Sequence, residues 1–89
     1  MIDITLLRKK AQALPPCVRI GKKGITQSTY LEIMKQLKQK RLIKIKFLRS
    51  FLEEHDKHEA AGEIIAKTGA LAVQQVGFTL ILFYRRKEK

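Results

Sequence analysis

A small α/β domain, with elements in the order α-β-α-β-α-β-β forming a two-layer sandwich on a four-stranded mixed sheet, is predicted by three observations. Leu42 to Leu48 alternates, with Ile43, Ile45 and Phe47 on one side and Lys44 and Lys46 on the other, the pattern of a strand with one buried and one wet face. Two longer stretches around it repeat apolar residues at helical spacing and carry capping signals. Near the end of the chain, Ala70 to Val76 and Phe78 to Tyr84 flank Gly77, which reads as an antiparallel hairpin. Helical connections between the earlier strands allow those strands to run parallel, each crossover right-handed.

The elements follow in order. Asp3 to Ala13 has apolar positions at Ile4, Leu7, Ala11 and then Leu14, with Asp3 as cap and Pro15-Pro16 as stop. Cys17, Val18 and Ile20 make a short strand. Thr26 caps a helix whose apolar stripe is Tyr30, Ile33, Met34 and Leu37, and which gives out near Lys40-Arg41. After the alternating strand, a third helix is expected over Glu53 to Thr68, with Ala61, Ile64, Ile65 and Thr68 on one side and Gly69 as a left-handed cap. Glu53, Glu54 and Asp56 suit the positive end of that helix. Gly62 weakens it by about 1 kcal/mol relative to alanine, a cost that close packing at that position would explain. The helices are expected on one face of the sheet, leaving the lysine-bearing face open. The tail from Arg85 to Lys89 reads as frayed and basic.

The 89 residues suffice for one modest core, so residues 1–89 are expected to form a single domain. With 45% hydrophobic residues the chain is too apolar for a disordered tail, yet no apolar run approaches the roughly 20 residues of a membrane span. Cys17 is the only cysteine, so no internal disulfide can form, and beside a strand it reads as a small buried hydrophobe. Met1-Ile2-Asp3-Ile4 lacks the basic start of a secretory signal, which makes a cytoplasmic location the expectation.

The formal charge is +11, and it is unevenly spread. Residues 1–49 hold 13 Lys and Arg against 2 Asp and Glu, whereas residues 50–67 hold 2 against 5. One side of the molecule is therefore expected to be strongly basic, with the third helix facing elsewhere, and nucleic acid fits such a field. An acidic protein or lipid surface is the plainer alternative.

Within the basic part lies Gly21-Lys22-Lys23-Gly24, between the first strand and the cap of the second helix. It is too short for a phosphate-binding loop of the Gly-Lys-Ser/Thr type and lacks the spacing of a dinucleotide fingerprint. It is either an ordinary tight turn or a clamp for a sugar-phosphate backbone. In the second case Gly21 and Gly24 permit close approach, Lys22 and Lys23 supply charge, and the N–H groups near Ile25 to Ser28 supply directed hydrogen bonds. The charge field favours the clamp. Arg19, Lys44, Lys46 and Arg41, with Lys9 and Lys10, are candidates to extend it as a basic track. For any one of them alone a solvated lysine or arginine is the better reading, and the expectation belongs to the patch as a whole.

Other constellations carry less. Phe83 and Tyr84 are candidates for base stacking, although aromatics at a strand end more often join a core. His55 and His58 stand one turn apart on the expected helix but lack a third metal ligand, so a solvated helix start is preferred and no metal or other cofactor is expected. Cys17 has no histidine near it in sequence, and no Ser/His/Asp spacing stands out.

Gly21-Lys22-Lys23-Gly24-Ile25-Thr26, Leu42-Ile43-Lys44-Ile45-Lys46, Thr68-Gly69-Ala70 and Val76 to Arg85, in that order, resemble the CRM domain family (chloroplast RNA splicing and ribosome maturation) in its single-domain, YhbY-like form. The resemblance implies a fold similar to the C-terminal domain of bacterial translation initiation factor three. It further implies RNA binding through the GxxG loop and association with precursors of the large ribosomal subunit. Where the family runs Leu-Tyr-Arg this chain has Phe83-Tyr84-Arg85, and Gln75 stands where the family often has an apolar residue. The expectation is a non-catalytic RNA-binding protein whose partner is ribosomal RNA, with no small-molecule substrate and no membrane. The rivals are a basic DNA-binding chromatin protein and a small nuclease, the latter disfavoured because clustered carboxylates are missing.

Overall fold

The computed structural model describes residues 3–85, so the expected basic tail from Arg85 to Lys89 lies, apart from Arg85, outside the described residues. The elements are α1 (Ile4–Gln12), β1 (Val18–Ile20), α2 (Gln27–Lys40), β2 (Leu42–Phe47), α3 (Arg49–Leu52), α4 (Lys57–Thr68), β3 (Leu71–Val76) and β4 (Thr79–Phe83). The sheet order is β1-β2-β4-β3, with β1 parallel to β2 and β4 antiparallel to both its neighbours. The first three strands in sequence therefore share one direction, and the mixed four-stranded α/β architecture is the one the sequence predicts.

Ile43, Ile45 and Phe47 of β2 are buried with Val18, Ile20, Leu80 and Leu82 under Ile33 and Leu37 of α2 and Ala60, Ala61 and Ile64 of α4. This face holds the main core and supplies most of the apolar burial that stabilises the domain. The opposite face is not left open. Ala11 of α1 packs there against Val73 and Ile81, with Ile4, Leu7, Leu42 and Phe83 around them. The two-layer frame of sheet, α2 and α4 thus carries α1 as an addition on its other side. The bulge between Ala72 and Gln74 turns Val73 inward beneath α1.

Two boundaries differ from expectation. The expected third helix starts later than Glu53, at Lys57 as α4, because the Asp56 carboxylate accepts the Glu59 backbone N–H at 3.3 Å and caps it there, and a short helix α3 that was not expected precedes it. Glu53 and Glu54 therefore lie between the two helices and not in the first turn of α4. The last strand begins at Thr79, since Val76 pairs with Thr79 and Gly77-Phe78 form a two-residue turn, with Gly77 at φ 55°. The turn leaves Phe78 exposed. Gly69 closes α4 at φ 71°, as a left-handed cap.

Candidate nucleic-acid interface

The loop after β1 is a tight turn in which the Gly24 N–H donates to the Gly21 carbonyl at 2.8 Å. Its two glycines are needed for different reasons. Gly24 sits at φ 75°, a region that costs a side-chain-bearing residue about 1 kcal/mol or more. A Cβ on Gly21 would instead stand 3.2 Å from Leu48 Cδ1 and 3.5 Å from Ser50 Oγ. A Cβ at Gly21 would therefore require the Leu48 side chain to give by a few tenths of an ångström. The same junction is tied by the Leu48 N–H donating to the Ile20 carbonyl at 2.8 Å. Lys22 and Lys23 are left exposed at the tip.

The helix that follows is capped reciprocally. Thr26 Oγ1 accepts the Thr29 N–H at 3.2 Å, and Thr29 Oγ1 accepts the Thr26 N–H at 3.1 Å. The N–H groups of Gln27 and Ser28, in the first turn, have no partner within the helix. Of the N–H groups expected to reach a ligand, Thr26 is thus already engaged. No acidic residue lies in this first turn. Arg19, Gly21, Lys22, Lys23, Gly24, Thr26 and Thr29 line a hollow of about 350 Å³ at this corner. Thr29 is absent from the residues the sequence points to, although the Thr-x-x-Thr spacing at a helix start carries the signal of a reciprocal cap.

Only part of the predicted basic track meets this hollow. Arg19 lies in register beside Lys46 across the β1–β2 pair, and both are exposed next to the loop. Lys44 lies one step further along the same face, half-buried, beside a hollow of about 130 Å³ that also involves Cys17 and Lys40. Arg41 belongs elsewhere. It follows the last residue of α2, a helix about 21 Å long, and so sits at the end away from the loop. There its Nε donates to the Tyr84 carbonyl at 3.4 Å, its carbonyl accepts the Tyr84 N–H at 2.7 Å, and its guanidinium stands 5.5 Å from the Phe83 ring centre. Lys9 and Lys10 are exposed on α1.

The aromatic and titratable candidates all make contacts within the fold. Phe83 packs in the α1 cluster and Tyr84 against the main core, so both rings are partly covered. His55 leaves the helix altogether and stacks on Phe51 with ring centres 4.5 Å apart, while His58 Nδ1 lies 3.2 Å from Gln75 Oε1. Gln75 also donates to the Lys57 carbonyl at 3.1 Å, which makes the polar residue at that position a tie between β3 and α4. Cys17 is half-buried, and burial pushes its thiol pKa up against the opposing pull of Lys40. Among the described residues no helix is long and apolar enough to cross a membrane.

The fold and this corner define a small mixed-sheet α/β domain with a glycine-lysine loop opening its longest helix. The chain belongs to the CRS1/YhbY (CRM) domain family, whose model matches residues 3–85. It is 37% identical over 82 residues to Probable RNA-binding protein MJ0652 of Methanocaldococcus jannaschii, covering 92% of this chain and 60% of that one. It is 32% identical over 82 residues to Probable RNA-binding protein YqeI of Bacillus subtilis, covering 92% and 83% respectively. The solution structure of the Staphylococcus aureus protein SAV1595 superposes with a TM-score of 0.77 at 28% identity, over 99% of this chain and 93% of that one. The chain thus spans most of the bacterial relatives but only 60% of the archaeal one.

Proposed function

We propose that the protein is a non-catalytic RNA-binding module that grips structured ribosomal RNA during assembly of the large ribosomal subunit. The observation that carries the reading is the Gly21–Gly24 turn, which presents Lys22 and Lys23 at the mouth of a helix whose first turn holds no acidic side chain. A phosphate seated there meets two ammonium groups, the Gln27 and Ser28 N–H groups and the positive end of the α2 dipole together. Arg19 and Lys46 extend the contact along the sheet face, while Lys44 and Arg41 contribute mainly to the long-range field. Two relatives carry the name of RNA-binding proteins, which supports RNA as the ligand class. The ribosomal target follows from the family resemblance.

The test is fluorescence anisotropy with a structured ribosomal RNA fragment and duplex DNA of equal length at matched salt. RNA is expected to bind more tightly, and equal affinity for duplex DNA would favour the chromatin-protein reading. With about five phosphates neutralised, log K against log salt falls with a slope near −3.5 on single strands and more steeply on paired RNA. Replacing Lys22 and Lys23 together by alanine makes the slope shallower by about one to two units while leaving stability within about 0.5 kcal/mol. Unchanged affinity and slope in that double variant overturn the loop as the grip. Crosslinking in cells followed by sequencing of the bound RNA identifies the target.

A further inference from the structure

We propose that the cavity between the start of α2 and the flank of α4 receives an unpaired guanine base of the bound RNA, an inference that rests on the loop gripping the adjacent backbone. The cavity measures about 180 Å³ and is lined by Ile25, Tyr30, Phe51, His55, Glu63 and Lys67. It adjoins the loop hollow, because Ile25 follows Gly24 directly and Tyr30 follows Thr29. At the first turn of α2, Thr26 and Thr29 line one hollow and Ile25 and Tyr30 the other. A strand whose phosphate sits at Lys22 and Lys23 can therefore pass one nucleotide over the helix start.

Charge separates the two hollows by ligand. The loop side holds Arg19, Lys22 and Lys23 and attracts phosphate. The α4 side sets Glu63 beside Lys67 and continues into a smaller hollow with Asp56 and Glu59, so acidic groups outnumber the lysine there, which disfavours phosphate and leaves room for an uncharged base. An aromatic ladder leads into it. Buried Phe47 lies 5.5 Å from Phe51, and Phe51 lies 4.5 Å from His55, with interplanar angles of 20° and 18°. The outer member, His55, is exposed, so a base laid on it extends the ladder by one ring.

The polar groups select which base. Glu63 and Lys67 are one helical turn apart on α4 and both line the cavity, so a carboxylate and an ammonium are available on the same wall. Lys67 Nζ stands 4.9 Å from the centre of the Tyr30 ring. Burial and the neighbouring Glu63 both push the Tyr30 phenol pKa up, in keeping with a carboxylate at that wall. The Watson–Crick edge of guanine offers two adjacent N–H donors, at N1 and N2, followed by the O6 acceptor. Glu63 accepts the two donors and Lys67 donates to O6. Adenine and cytosine each set a ring-nitrogen acceptor beside their single amino group, and uracil flanks its one N–H with carbonyls. None of these matches the pair.

The experiment measures binding of the full chain to short oligouridines carrying one central guanosine, inosine or adenosine, or no substitution. Guanosine is expected to bind about tenfold more tightly than adenosine or uridine, the scale of one good bidentate base contact. Inosine, which lacks the N2 amino group, falls between them. Glu63→Gln brings guanosine and adenosine within about twofold without weakening the all-uridine oligomer, and circular dichroism confirms the fold of this exposed-site variant. The Lys22→Ala, Lys23→Ala double variant weakens every oligomer alike and keeps the guanosine preference. Equal binding of all four by the unaltered chain, preference for another base, or a guanosine preference that survives Glu63→Gln overturns the guanine pocket and leaves the loop grip standing. Undiminished binding by the lysine double variant overturns the loop grip itself.

Discussion

Two helices of this chain begin with the same local device in opposite electrostatic surroundings. At the start of α2, Thr26 caps the Thr29 N–H, and at the start of α4, Asp56 caps the Glu59 N–H. Both therefore carry a side-chain oxygen over the third residue, with the positive pole of a helix dipole behind it. Their surroundings differ. The start of α4 is ringed by its own carboxylates, with Glu53 and Glu54 before it and Glu59 in its first turn, so its positive pole is answered within the chain. The start of α2 has no acid in its first turn and is preceded by Lys22 and Lys23. A helix start becomes an anion grip only where the neighbouring charges leave its field unanswered.

Making α2 resemble α4 is the severest way to break this contrast. Replacing Lys22 and Lys23 by glutamate reverses the local charge, and RNA affinity at moderate salt is expected to fall by about a hundredfold, well beyond the alanine pair. A loss no greater than that of the alanine pair would mean that the field at this corner is not what binds.

The caps themselves sharpen the contrast. Thr26→Ala and Asp56→Ala are each expected to lower stability by about 1 kcal/mol, which in a domain of this size moves Tm down by about 4–8 °C. Only Thr26→Ala is expected to weaken RNA binding as well, because it loosens the turn that positions the Gln27 and Ser28 N–H groups. Calorimetry paired with anisotropy on both variants separates the roles, and equal affinity losses would erase the distinction between the two helix starts.

A smaller effect of opposite sign is expected within α4. A Cβ added at Gly62 would meet no atom within 4 Å, and Gly62 is not among the residues with positive φ, so close packing does not explain it. Gly62→Ala is expected to stabilise the domain by about 0.5–1 kcal/mol with RNA affinity unchanged, measured by denaturant unfolding. Smallest of all is Glu53→Lys with Glu54→Lys. Both residues are exposed and lie before α4, so the pair is expected to raise affinity slightly at low salt and to have no effect once salt screens the field. A change in affinity that persists at high salt would place this segment in contact with RNA.

Much of this was legible in the residues because the relevant forces are local. The alternation of Ile43-Lys44-Ile45-Lys46-Phe47 determines a half-buried strand whatever packs on it, and Thr26 and Gly69 mark helix ends through bonds that span only a few residues. Gly21-Lys22-Lys23-Gly24 stands out for the same reason, since a turn and its charges lie within one short stretch. Tertiary structure decided what depends on distance across the sheet. It placed α1 on the lysine-bearing face, because the Val73 bulge and Ile81 offer apolar surface there that no single segment reveals. It carried Arg41 to the far end of α2, where helix length sets the separation, and kept Arg19 and Lys46 beside the loop through the β1–β2 register. It also brought Glu63 and Lys67 against Tyr30 from a distant part of the chain, and such a meeting arises only when burial of the main core packs α4 against α2.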